Sequence, residues 1–141
     1  SVNTIPGEDI FFMDCRIHPA YDLADVMNEI RGLTDLIAKR FQVTIDIQPV
    51  QYVQAPPPTP KDAAIVKALR QAIKDVYHVR GKVIGIGAGT VAAVFRKYGY
   101  EAAVWSKLRY KAHQPDESCL ISNMVGNAKV FAHLMLQTSP P

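Results

Sequence analysis

Residues 55–62 read APPPTPKD, with four prolines in the five positions 56–60. Proline locks φ at about −65° and removes a backbone donor, so neither a helix interior nor a central strand runs through such a stretch. The run is a stiff, extended connector, and it divides the 141-residue chain into residues 1–55 and 56–141. Each part must build its own elements on its own side of the break.

The first part opens with a turn signal, Pro6-Gly7, followed by DIFFMDCRIHP. Alternation predicts a strand. Phe11, Met13, Cys15 and Ile17 form a wholly apolar face expected to meet a core. Ile10, Phe12, Asp14 and Arg16 form a mixed face whose charged end is expected to meet solvent or ligand. In DLADVMNEIRGLTDLIAKRF, Leu23, Val26, Ile30, Leu33 and Ile37 keep the spacing of one helical face, with Asp22 as N-cap. Gly32 weakens this helix by roughly 1 kcal/mol relative to Ala without ending it. QVTIDIQPVQYVQ then alternates as a half-exposed strand, with Pro49 marking an edge or bend.

Past the prolines, Ile65, Leu69, Ile73 and Val76 predict a helix, capped by Asp62 or Thr59. A short strand at residues 83–86 enters GIGAGT, and a helix from Thr90 to about Tyr98 stops at Gly99. EAAVWSK reads as a buried strand. A last helix runs from about Asn123 to Leu136, with Val125, Ala128, Ala132 and Met135 on one face and Ser122 as cap. The expected class is therefore α/β: strand-helix-strand, then helix-strand-helix-strand-helix with a parallel strand pair. Trp105 and the five phenylalanines, Phe11, Phe12, Phe41, Phe95 and Phe131, read as packing residues.

The net charge of +3 is too mild to argue for nucleic acid. Seven basic residues (Arg80, Lys82, Arg96, Lys97, Lys107, Arg109 and Lys111) lie between positions 80 and 111 with one acid, Glu101. They fit either solvated faces or an anionic ligand. RNA binding would need aromatics interleaved with base-contacting positions, and the aromatics are scattered instead. No apolar run approaches the ~20 residues of a membrane span. Two cysteines, Cys15 and Cys119, suit a reducing, cytoplasmic compartment better than a disulfide framework. The chain opens at Ser1 almost directly into strand-like sequence, as expected of a fragment of something longer.

Three stretches carry candidate chemistry. GIGAGT fails as a dinucleotide fingerprint, because from Gly85 the third glycine would fall at Thr90, and no Gly-Lys-Ser/Thr follows for a phosphate loop. A tight turn and a carboxylate- or phosphate-binding loop both remain open. Cys119 with His113 or His133 could form a thiol–base pair, but no third orienting group is evident and Cys119 looks buried beside Leu120-Ile121. In AHQPDE, His113 could bind a metal, yet His18, His78 and His133 stand at no ligand spacing from it. By spacing alone, His113 is a loop residue.

Taken together, NTIPGEDIFFMDCR, GIGAGTVAAVFRKYGYEAAVWS and AHQPDE resemble, in order and spacing, three segments of one superfamily. It is the metal-dependent amidohydrolase superfamily of succinyl-diaminopimelate desuccinylase, acetylornithine deacetylase, aminoacylase and glutamate carboxypeptidase. The resemblance implies that residues 1–55 are the second half of a lid or dimerisation domain, and 56–141 the C-terminal part of a zinc-binding α/β catalytic domain. It implies that His113 is a ligand to one of two zinc ions (cobalt or manganese being alternatives) and that Glu117 steadies the ligand loop. Asn3 and Arg16 match lid residues that bind a substrate carboxylate, and Gly89 and Thr90 match the substrate-contacting loop. The implied activity is cleavage of the amide bond of an N-acyl amino acid or dipeptide by a zinc-activated water, in a homodimer formed through the lid, with no role for nucleic acid or membrane. No catalytic residue is assigned: the general base and remaining ligands would lie upstream, for the chain has no His-x-Asp and no Glu-Glu. Many members carry Gly-Thr-Asp where this chain has Gly89-Thr90-Val91, which leaves the acyl group and amino acid open. The alternative is a dimerisation or anion-binding module without catalysis.

Overall fold

The computed structural model describes residues 3–109 and 111–137. Among the described residues there are four helices: α1 (Leu23–Phe41), α2 (Ala64–Tyr77), α3 (Val91–Lys97) and α4 (Ile121–Leu136). The chain divides into two compact units, one ending at Tyr52 and the other beginning at Val53.

The first unit holds α1. The Asp22 side chain accepts the Ala24 N–H at 2.7 Å and satisfies one of the donors orphaned at a helix start. Lys39 and Arg40 lie in the last turn, where cations suit the helix dipole, and Gln42 ends the helix in the left-handed region. The helix runs through Gly32 without interruption. Leu23, Val26 and Ile30 are half-buried, but Leu33 and Ile37 are exposed, and no residue of α1 is fully buried.

The second unit holds the core. Leu69, Ala72 and Ile73 of α2 meet Val130 of α4, and Val76, Tyr77, Ala103 and Trp105 close around them. Gly126 sets the approach of the two helices. A Cβ at that position would overlap the Tyr77 phenol, so only glycine lets the ring lie there. This contact also decides which face of α4 turns inward. The buried residues are Asn123, Gly126 and Val130, whereas Val125, Ala128, Ala132 and Met135, the expected face, are exposed. Hydropathy favoured the larger side chains; close approach to an aromatic ring required the smallest. The expected caps also differ. Leu120, not Ser122, precedes α4, and Ala63 precedes α2, each without a side-chain capping bond. Gly99 stands just past α3 with φ of 84°, as its place after the helix predicts.

The α/β class is overturned. Among the described residues there is no strand, so neither the strand-helix-strand lid nor the parallel pair is formed. A strand exists by exchanging ladder hydrogen bonds with a neighbour, and alternation supplies only the face, not the neighbour. In the first unit, Phe11 is 74% and Met13 69% exposed, so the apolar face of residues 10–17 packs on no core. In the second unit, side chains take the place of a ladder. Thr59 Oγ1 donates to the Ala102 carbonyl at 2.6 Å and accepts the Ala102 N–H at 3.1 Å. Asn127 Oδ1 accepts the Lys107 N–H at 2.9 Å, while its Nδ2 donates to Ser106 Oγ at 3.2 Å. The segment expected as a buried strand is thus pinned by one threonine and one asparagine. Trp105 does join the core, its ring centroid 6.0 Å from that of Tyr77; the five phenylalanines are exposed.

Candidate functional site

The loop at residues 111–119 precedes α4. His113 and Asp116 both have left-handed backbone, with φ of 61° and 60°. His and Asp tolerate that region better than most residues, which makes the tight double turn accessible without glycine. The turn is closed by two contacts: Gln114 N–H donates to the Lys111 carbonyl at 3.3 Å, and His113 N–H donates to Glu117 Oε2 at 3.2 Å. Glu117 therefore spends one carboxylate oxygen on the backbone of His113, leaving the imidazole itself uncommitted to that bond. The His113 side chain is exposed.

Gly89 and Thr90 lead into α3, with Thr90 at its N-cap position in extended backbone and without a side-chain cap bond. Gly89 has open space where a Cβ would stand, so no packing contact demands glycine there. His113, Glu117, Gly89 and Thr90 all belong to the second unit, and His113 and Glu117 are joined by the hydrogen bond above. Cys119, expected to be buried, is exposed, and its thiol lies 3.4 Å from the Leu120 carbonyl. His133 faces Asp75 across the α2–α4 contact, Nδ1 to Oδ2 at 3.9 Å.

Asn3 and Arg16 belong to the first unit. Asn3 sits exposed in a turn. Arg16 grips a carboxylate already. Its Nη2 lies 2.6 Å from Asp14 Oδ2, and its Nε is 2.9 Å from both carboxylate oxygens. The hydrogen bond from Arg16 and its charge hold the Asp14 carboxyl below its ordinary pKa, and the same bond raises that of the guanidinium. Sequence reading put both residues on one face but missed that they would close on each other. The signal was there in the i, i+2 spacing of opposite charges.

Among the described residues, no three His, Cys, Asp or Glu side chains converge as a metal site. A metal centre of the zinc type takes three or four protein donors. The residues present therefore do not fit a metal ion by themselves; His113 is a single donor.

Comparison with known proteins settles the lineage. Residues 6–137 match the family described as Peptidase family M20/M25/M40. The chain belongs to this family. The chain is 33% identical over 148 aligned residues to an uncharacterised metallohydrolase of Methanococcus maripaludis, covering 96% of this chain and 35% of that protein. It is 35% identical over 144 residues to an uncharacterised metallohydrolase of Methanocaldococcus jannaschii, covering 94% of this chain and 34% of that protein. The M20/M25/M40 chain thus spans about a third of the length of the curated relatives it matches. No solved structure matches it. No helix among the described residues is long and apolar enough to cross a membrane.

Proposed function

We propose that this M20/M25/M40 chain is part of a metal-dependent hydrolase that cleaves the amide bond of N-acyl amino acids, and that it works with sequence supplying the remaining metal donors. The observation that carries the reading is the family match over residues 6–137, which takes in His113, Glu117, Gly89, Thr90 and Arg16 together. His113 is assigned as one metal donor, with zinc as the ion, and Glu117 as the residue that sets the turn on which it is displayed. Gly89 and Thr90 are assigned to substrate contact. Asn3 and Arg16 are assigned to the substrate's carboxylate, and dimerisation through the first unit belongs to the same reading.

Arg16 supports the assignment chemically, because a guanidinium fork suits a planar carboxylate. Asp14 occupies that fork, so a substrate carboxylate must displace it. Asp14→Asn should then strengthen carboxylate binding, and Arg16→Gln should weaken it.

The test is hydrolysis of N-acetyl and N-succinyl amino acids with bound metal counted in parallel. The 141-residue chain is expected to turn over none of them, with or without zinc. Expressed within its complete reading frame it is expected to do so, and His113→Ala should lower both turnover and bound metal. Activity of the 141-residue chain above its own His113→Ala control would show that the needed donors are already here. A metal-loaded complete protein inert towards every N-acyl amino acid would sink the substrate assignment.

A further inference from the structure

A second cluster of charged residues lies on α2 and includes none of the residues assigned above. Lys67, Arg70, Gln71 and Lys74 recur at i, i+3, i+4 and i+7, so they share one strip of the helix surface. That strip adjoins the buried strip of Val66, Leu69 and Ile73. His78 ends α2 in the left-handed region and turns the chain back. Gly81 then packs on the helix: a Cβ there would stand 3.3 Å from Ile73 Cδ1 and 3.7 Å from Arg70 Cγ. The close approach seats Arg80 beside the α2 cations. Lys67, Arg70, Gln71, Lys74, Arg80 and Gly81 line a hollow of about 220 Å³.

Four cations line this hollow and no carboxylate does. Asp75, the acid of α2, does not line the hollow, but it accepts from the lining Gln71 Nε2 at 2.8 Å and also faces His133. None of the four cations makes an ion pair among the described residues. Like charges lining one hollow repel, and an anion seated there would offset that repulsion. Two guanidinium forks and two ammonium groups exceed what a single carboxylate can neutralise, and they match a compact anion bearing several phosphate groups.

We propose that the hollow between α2 and the residue 80–81 turn is a binding site for a small oligophosphate. The proposal is independent of the hydrolase reading, since it uses none of its residues. Isothermal titration of the 141-residue chain with sodium tripolyphosphate tests it, with sulfate, glutarate and a mixed-sequence single-stranded oligonucleotide as comparators. One tripolyphosphate should bind per chain, more tightly than sulfate or glutarate and more weakly as salt rises. Arg70→Gln and Arg80→Gln should each weaken binding by about tenfold, the scale of a lost charge-assisted hydrogen bond. Both positions are exposed, so helical circular dichroism should be unchanged. Lys129→Gln, on α4 outside the hollow, should bind as the parent does. Failure to saturate overturns the proposal, as does parent-like affinity in both arginine variants with helicity intact. Glutarate binding as tightly as tripolyphosphate would make it a dicarboxylate site instead, and tighter binding of the oligonucleotide would make it a nucleic-acid surface.

Discussion

α1 and the α2–α4 pair were built by different means. α1 has the better start, a side-chain N-cap, and it shares with α2 a left-handed C-cap and a basic last turn. It buries no residue fully. α2 and α4 lack any side-chain cap, yet they hold the core. Caps and spacing decide where a helix starts and stops; burial requires a second surface of matching shape. Local propensity and tertiary packing are therefore separable in this molecule, and each can be perturbed without the other.

The widest contrast should come from large-to-small substitutions. Ile73→Ala removes a side chain only 3% exposed and should cost the second unit about 2–5 kcal/mol. Leu33→Ala, on the 60% exposed position of α1, should change stability by no more than about 0.5 kcal/mol. Residue-resolved amide hydrogen exchange reads the two units separately. Comparable losses at both sites would mean that α1 is packed in solution.

A sharper contrast uses one chemical change in two helices with opposite expected signs. Gly126→Ala forces a methyl into the Tyr77 phenol and should destabilise the α2–α4 pair by about 1–3 kcal/mol. Gly32→Ala meets open space on α1 and should stabilise that helix by about 0.5–1 kcal/mol. Chemical denaturation followed by helical circular dichroism, together with hydrogen exchange, gives both signs. Stabilisation by Gly126→Ala would mean the two helices lie further apart than described.

The smallest effect belongs to Asp14 and Arg16. The Asp14 carboxyl is held below its ordinary pKa, so the pair is intact above the usual carboxylate range. It is lost as pH falls through the lowered value. Both side chains are exposed, and salt should weaken the pair. An NMR titration of the Asp14 carboxyl carbon should place its midpoint below that of a free aspartate, and Arg16→Gln should move it back up. An unchanged midpoint in Arg16→Gln would remove the pairing.

The glycine-rich approach to α3 and the His-Gln-Pro-Asp-Glu loop before α4 can be read residue by residue, because they are local features; the roles of their side chains belong to the proposal. The link that Glu117 makes to the His113 backbone spans four positions and remains a local contact. The occupancy of Arg16 by Asp14 was less legible, since alternation reports a shared face and not whether two side chains close on each other. The hollow on α2 was visible only in part. The spacing of Lys67, Arg70 and Lys74 can be read from the chain, but the return of Arg80 depends on the left-handed turn at His78 and the seat of Gly81.

By itself the sequence determined the helices of the described residues, the start of α1 at Asp22 and the stop of α3 at Gly99. These depend on backbone entropy, capping donors and fixed φ, all of which act within a few residues. Only the tertiary structure decided that the alternating segments carry no ladder, and that α4 turns its Asn123–Gly126–Val130 face inward. It also decided that Thr59 and Asn127 hold the segment around Trp105. A ladder needs a neighbouring backbone, and a packed face needs the shape of what it meets. Hydropathy records that a residue gains by leaving water and is silent on which surface receives it.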